Sequence, residues 1–453
     1  MPHQRIPKNT TTKKNHGALR LPTTYANRKN DNEIFAAWHS YVGRWISRDE
    51  FGQEIISVAF TPRLPRPGKD KPHGTLAGFI ADGEYEGVLF FKSPADKTRR
   101  GKPVLLNGNL HRADRNLTRL QATLRLVPPH HTRGKKPGKK RLVLQLKKKR
   151  KTKKYVLQWV GAVSDTELSS VCIIGHRGLG FAGLDNRPKA LSRAWYFGAS
   201  GIEFDITVPY QYSWTTNGEQ SRIPLLNRLM VYHPPLLNQT CDIDSIPAEF
   251  SPLKDIFEEL QTYSVPFVYV NPKLTWLSTN NVKQALKNIT RFAHLLLRRG
   301  SSVIVSIAAS DDRSGKFLSR SEAFQSSPYF ATSQLSWTLE WTEVDKARDI
   351  LARAKKHPTA LSFNLTKIDG SLKWPLIEWL FKDVSKRDEK AIQKKSQILV
   401  FWTANGDDHF RGSLGVAKDR ERMGRSGEPG EIGIMTDAPH RLAYWLATQR
   451  KHK

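Results

Sequence analysis

The chain has 453 residues, 38% of them hydrophobic, enough for two or three domains with cores of their own. It has no uninterrupted apolar run long enough to span a bilayer, and its opening stretch, MPHQRIPKNTTTKKNHGALR, lacks the apolar core of a signal peptide, so a soluble cytoplasmic protein is expected rather than a membrane-spanning or secreted one. A formal charge of +31 concentrates polyanions, whether nucleic acid, an anionic membrane surface or a phosphorylated substrate, and does not choose among them.

Residues 1–30 are basic and poor in apolar side chains, and a flexible tail is expected there. A β-rich domain is expected over 31–163. It opens on a short amphipathic helix, with Ile34, Phe35, Trp38 and Tyr41 or Val42 at helical spacing. Short strand-like segments follow at intervals of about ten residues: GRWISRD, QEIISVAF, GTLAGFI, GEYEGVLFFK, VLLNGNLHR, RLQATLRLV, KRLVLQLKKK and KKYVLQWVGAV. Spacing and partial alternation predict an antiparallel barrel or sandwich. Gly43-Arg44-Trp45, opening the first strand, resembles the G-x-W start of lipocalin-like barrels, and a tryptophan closing one end of any small β core fits the tripeptide equally well. The run 133–154 holds the densest positive charge and reads as a basic hairpin. It has two readings, a sequence-blind contact with phosphates or anionic lipid head groups, or a solvated surface. No aromatic side chains interrupt the run for base stacking, which disfavours nucleic acid as the partner.

SDTELSS, at 164–170, reads as a polar linker. Beyond it the period changes, and apolar strands alternate with helical stretches from 171 to 450. Eight strands are predicted, at 171–175, 201–206, 229–233, 267–271, 302–308, 360–364, 398–403 and 431–436. Eight strand-helix units predict a (β/α)8 TIM barrel, so the expected molecule is multi-domain, an N-terminal β barrel or sandwich followed by a C-terminal TIM barrel. Cys172, inside an apolar strand, reads as a core thiol, with a bridge to Cys241 as the alternative.

Polar groups collect where the predicted strands of this barrel end. Glu203 and Asp205, two apart in G-I-E-F-D-I, share one face of a strand whose other residues are apolar. Unpaired charge there is costly, and a divalent cation, Mg²⁺ or Ca²⁺, is the natural remedy for converging carboxylates. His176 and His233 each follow an apolar strand, where imidazole suits proton transfer near neutral pH. Arg177 offers a planar fork for two phosphate oxygens, and Lys273, two residues after Asn271, adds a second cation. The set reads as an anion-binding, metal-assisted phosphoryl-transfer site.

These residues resemble the glycerophosphodiester phosphodiesterase family, and more distantly the sphingomyelinase D-type phospholipases. The resemblance spans about 171–450. It rests on His176-Arg177-Gly178, Asp185-Asn186, G-A-S-G-I-E-F-D at 198–205, V-Y-H at 231–233, Lys273, F-W-T-A-N at 401–405 and G-I-M-T-D-A-P at 433–439. It implies a TIM barrel that cleaves a phosphodiester, either a glycerophosphodiester or a lysolipid, at a metal-supported site. By the family pattern Glu203 and Asp205 would hold the metal, His176 and His233 would act as general acid and base, and Arg177 and Lys273 would hold the phosphate. Trp402 would line the substrate pocket. A neighbouring hydroxyl of the substrate would attack phosphorus first, giving a cyclic phosphate that water can then open; a transferase stops at the cyclic product. Three departures stand out. Asn271 takes the place of a third acid and offers the metal an oxygen without a charge, His233 is followed by Pro234 instead of an aspartate, and the loop 209–228 is longer and aromatic. A phosphoryl-ligand binder that no longer catalyses is the alternative these departures leave open.

Overall fold

The computed structural model describes residues 20–64, 75–81, 85–91, 104–112, 117–127, 141–148, 151–180, 184–234, 240–263, 265–297, 303–320, 327–331, 334–341, 360–364, 398–422 and 432–449. Two closed barrels follow one another along the chain. In the first, β1 (Gly43–Arg48), β2 (Glu54–Arg63), β3 (Thr75–Ala81), β4 (Tyr85–Phe91), β5 (Val104–Arg112), β6 (Leu117–Val127), β7 (Arg141–Lys148) and β8 (Lys151–Gly161) pair antiparallel in chain order. β8 returns to β1, so the domain is a barrel and not a sandwich, and neither edge strand is left open. Trp45 is fully buried, and its Nε1 donates to the Tyr41 carbonyl at 2.8 Å, just past helix α1 (Asn32–Trp38). Within the basic run, 141–148 and 151–154 lie on paired β7 and β8 with Lys147 and Lys154 exposed. The remainder of that run lies outside the described residues, as do residues 1–19 of the expected tail.

The second barrel is parallel. Its strands are β9 (Val171–Gly175), β10 (Gly201–Thr207), β14 (Phe267–Lys273), β15 (Ile304–Ala309), β16 (Leu335–Trp341), β17 (Ala360–Asn364), β18 (Ile398–Trp402) and β19 (Ile432–Thr436), closed by pairing of β9 with both β19 and β10. The strand numbers left over belong to a hairpin, β11 (Tyr210–Trp214) with β12 (Gln220–Pro224), and to β13 (Met230–Val231). Helices α3 (Pro188–Arg193), α4 (Leu253–Tyr263), α5 (Thr279–Leu297), α6 (Asp312–Arg320), α7 (Asp407–Arg422) and α8 (Pro439–Thr448) fall between and after the strands. None of the described helices is long and apolar enough to cross a membrane.

The predicted count of eight strands holds, but one member differs. RLMVYH, expected as the third strand at 229–233, contributes a two-residue antiparallel edge in which Met230 and Val231 pair with Thr207 and Ile206. The missing member is β16, LSWTLEW. Its Trp337 and Leu339 face the helices, while the buried Ser336 and Thr338 belong to the other, inward face. A parallel strand with polar residues inward does not show the continuous apolar run by which the others are found.

Outside the sheet, Ile202, Phe204, Val268, Val270, Val305, Ile307, Trp337 and Leu339 form one core with the helices. Each such fully buried side chain contributes about 1.5–3 kcal/mol. Inside, Cys172, Ile174, Phe267, Tyr269, Val400 and Met435 form a second, apolar cluster that includes Leu21. Cys172 and Cys241 are both free and buried, so there is no bridge. Burial pushes the Cys172 thiol far up, as expected of a core residue.

Leu21 belongs to a segment expected to be tail. Residues 21–27 are instead packed between the barrels: Tyr25 Oη donates to the Gly198 carbonyl at 2.7 Å, Thr24 Oγ1 meets Ser200 Oγ at 3.0 Å, and Asn27 Nδ2 donates to Ser169 Oγ at 3.0 Å. Composition missed this because the few apolar residues, Leu21, Tyr25 and Ala26, are all buried. The expected linker 164–170 is likewise structured. Asp165–Ser170 forms helix α2, with Leu168 and Ser169 buried. Two carbonyls on the turn before β10 bind the buried Arg63 of β2, and Glu86 of β4 pairs with Arg441 of α8 at 2.7–2.8 Å.

Candidate functional site

Asp205 lies at the centre of the site. It is 1% exposed, in the middle of a strand that is buried throughout. Its backbone N–H donates to Asn186 Oδ1 at 2.9 Å, and Asn186 Nδ2 donates back to Asp205 Oδ2 at 3.0 Å. Asn186 holds a left-handed backbone, φ 60°, a conformation asparagine tolerates better than most residues. Arg177 Nε lies 3.0 Å from Asp205 Oδ2, and Lys273 Nζ lies 3.2 Å from Asp205 Oδ1. Burial pushes the Asp205 carboxyl up, but Lys273 and Arg177, helped by His233 and His176, outweigh it and hold it well below the usual carboxylate range.

Glu203, one layer along the same face, is fully buried and balanced differently. Burial and the neighbouring Asp205 raise it to about 7, against His176, Lys273 and the Arg177 backbone N–H, which donates to Glu203 Oε2 at 2.8 Å. The His-Arg-Gly turn makes that last contact. Arg177 and Gly178 both take positive φ, 49° and 78°, and a Cβ on Gly178 would meet the backbone of Ala190 in α3 at 2.8 Å, so glycine is required there.

His176 Nδ1 lies 2.6 Å from Asp437 Oδ1, and its Nε2 lies 4.0 Å from Glu203 Oε2. Burial lowers its proton affinity, but the hydrogen bond to Asp437 and the charges of Glu203 and Asp437 raise it further, and the net shift is upward. Asp437 is in turn held by Asn405, whose Nδ2 donates to Asp437 Oδ2 and whose Oδ1 accepts from the Asp437 N–H at 2.9 Å. A Cβ on Gly180 would run into the Asp437 carboxylate, so that glycine keeps the pair together. His233, two residues past β13, is shifted the other way: burial lowers it more than Asp205 raises it, with Arg177 and Lys273 adding to the depression.

Asn271 is directly across the β10–β14 register from Asp205, and Lys273 is across from Thr207. Trp402 ends β18, half-buried against the apolar cluster inside the barrel. Arg177 was expected to be free for phosphate, but its Nε and Nη1 already face Asp205 and Asp185, the latter at 3.3 Å. Three residues close to this chemistry were not assigned from the sequence. Asn186 and Asp437 lie inside the motifs that carry the resemblance, with no role implied for them, and Glu340 lies on β16, which has no continuous apolar run.

The metal ligands implied by the resemblance leave open acceptors. Glu203 Oε1 and Asn271 Oδ1 are buried without a hydrogen-bond partner among the described residues, and Asp205 Oδ1 faces the Lys273 ammonium at 3.2 Å. Unpartnered buried oxygens call for an explanation, and these two with Asp205 Oδ1, on adjacent strands, fit a hard cation.

A closed parallel barrel with titratable and cationic side chains after its strands defines the architectural class. No family model and no curated protein matches the chain. Among solved structures it is similar to a glycerophosphodiester phosphodiesterase from Thermotoga maritima, at 16% identity and a TM-score of 0.37, over 60% of this chain and 97% of that one. It is also similar to a phosphodiesterase from Oleispira antarctica in complex with the product sn-glycerol-3-phosphate, at 11% and 0.36 over 60% and 96%. A third is a glycerophosphoryl diester phosphodiesterase domain from Mycobacterium tuberculosis, at 11% and 0.30 over 61% and 99%. Identities and scores of this size carry no inference about reaction or substrate.

Proposed function

We propose that the chain is a phosphodiesterase that cleaves glycerophosphodiesters or lysophospholipid-like diesters, with His176 and His233 as the acid-base pair. The observation that carries this reading is geometric: His176, held through Nδ1 by Asp437 at 2.6 Å with its Nε2 4.0 Å from Glu203, stands at the same barrel end as a buried Asp205 flanked by Arg177 and Lys273 at 3.0 and 3.2 Å; the opposite displacement of the two imidazoles, His176 upward and His233 downward, agrees with it. Groups whose environments drive their proton affinities apart are suited to opposite roles. His176 keeps its proton and gives it to the leaving alcohol oxygen. Neutral His233 takes the proton of the attacking hydroxyl, whether that belongs to the substrate or to water. Lys273 and Arg177, which hold Asp205 at 3.2 and 3.0 Å without substrate, share their remaining N–H donors with phosphate oxygens, and Trp402 gives the substrate an apolar wall. Glu203, Asp205 and Asn271 would hold a divalent cation, which when bound stabilises negative charge on the phosphate.

The test is phosphorus NMR on the purified chain with a panel of glycerophosphodiesters and lysophospholipids, across Mg²⁺, Ca²⁺ and Mn²⁺. Release of the alcohol with a phosphomonoester marks the hydrolase, and accumulation of a cyclic phosphate marks the transferase. No turnover with any member in any of the three ions overturns the reading.

A pH prediction follows for Asp437→Asn. The carboxylate raises His176 through a hydrogen bond and through its charge, so its removal lowers that proton affinity. An acid catalyst fails as pH rises through its pKa, so the high-pH limb of kcat/KM should move to lower pH in the variant. A limb that stays in place would show that His176 is not the acid.

A further inference from the structure

β16 brings an acid to the same barrel end. Its inward alternation runs Ser336, Thr338, Glu340; Thr338 Oγ1 meets Ser306 Oγ at 2.6 Å, and Glu340 pairs in register with Ser362 of β17. Glu340 Oε2 is buried and has no hydrogen-bond partner among the described residues. Burial raises its proton affinity most and Asp205 adds to that, Lys273, His176 and the Tyr269 hydroxyl lower it, and the net shift is upward, so the carboxylate gains from any further positive charge placed near it. Lys273 feels Glu340 in return, after Asp205. Glu340, Lys273 and Asp205 therefore share one field.

The pairing of charges gives Glu340 a task. His176 is matched by Asp437 at 2.6 Å, and Arg177 and Lys273 together by Asp185 and Asp205 at 3.0–3.3 Å. Glu203 is then the one acid left among the residues implied as ligands, because Asn271 supplies an oxygen and no charge. A divalent cation beside Glu203 alone would leave a buried excess of positive charge, which the desolvation cost makes prohibitive. Glu340 removes that excess. Glu340 lies on β16, two strands round the barrel from Asn271 on β14, so it acts beside the ligands and not as one of them.

We propose that Glu340 carries the negative charge that Asn271 omits, and that with Glu203, Asp205 and Asn271 it sets the affinity of this site for an oxygen-preferring divalent cation. The inference rests on the metal-supported reading above.

Calorimetric titration of the full chain with Mg²⁺ and with Ca²⁺ tests it without any turnover assay. Glu340→Gln should weaken binding by about 10–100-fold, the usual cost of losing a partner just outside the ligand shell. Asn271→Asp should tighten it, and the double variant Asn271→Asp/Glu340→Gln should return close to the wild-type affinity. If Glu340→Gln fails to fold, the double variant Asn271→Asp/Glu340→Gln decides alone: affinity within a few-fold of wild type supports the exchange of charge, and a loss of about 10-fold or more overturns it. Wild-type affinity in Glu340→Gln overturns the role of Glu340 and leaves the metal-supported reading standing. A wild-type chain that binds neither ion overturns both.

Discussion

Glutamine in place of His176 is expected to lower kcat/KM by about 10²–10⁴-fold while the chain still folds. The substitution keeps a side-chain amide that can donate to Asp437, which His176 Nδ1 contacts at 2.6 Å, but it cannot hold and release a proton near neutral pH. The loss should be larger than that of Asp437→Asn, which leaves the imidazole in place and changes only its proton affinity and orientation. His233→Gln should lose activity on the same scale, since an amide accepts no proton at neutral pH. The measurement is steady-state turnover of a glycerophosphodiester, with thermal unfolding as the control for folding. Full activity in His176→Gln would remove the acid-base pair and with it the mechanism.

Much of this architecture is legible in the sequence, and the failures share a cause. VCIIG, FVYV and ILVF are continuous apolar runs, because a parallel strand is covered on one side by helices and on the other by the barrel interior. Where the interior side turns polar the run breaks, so β16 was missed and Glu340 with it. RLMVYH has the apolar run without the partners, and it ends as a two-residue edge. The E-x-D pair was readable because alternation alone puts both acids on one face. Its consequences were not, because Asn186 reaches Asp205 only when a left-handed residue turns the loop after β9 back across β10. The third acid was sought at Asn271, one strand over, whereas the compensating charge sits two strands further round the barrel. That neighbourhood is made by closure, and no local pattern encodes it.

The contact between the barrels was equally invisible from composition, and it makes Arg63 the residue whose loss should cost most in stability. Arg63 ends β2 and is 0% exposed. Its Nη1 donates to the Trp195 carbonyl and its Nη2 to the Ala199 carbonyl, both at 2.6 Å. Nε and Nη2 also reach Thr24 Oγ1 at 3.2 and 3.1 Å, and the guanidinium carbon lies 4.1 Å from the centre of the Trp195 ring and 5.1 Å from that of Tyr25. One side chain thus ties β2, the segment around Tyr25 and the turn before β10 together. Arg63→Met keeps much of the apolar stem but leaves the Ala199 carbonyl without the Arg63 donor, takes one of two donors from the Trp195 carbonyl, which keeps the Gly198 N–H at 3.1 Å, and removes the cation–π stacking. One buried acceptor losing its donor costs about 1–3 kcal/mol, and the second charged hydrogen bond and the stacking add to it, so a loss of about 3–5 kcal/mol is expected. Arg63→Lys should recover part of it, since an ammonium replaces the charge without the planar fork that reaches both carbonyls. Calorimetric melting is the measurement. Because Arg63 lies on the antiparallel barrel and its acceptors on the parallel one, the Met variant should also melt less cooperatively, with the two barrels separating into distinct transitions. A single transition at the wild-type temperature would mean that Arg63 does not hold the barrels together.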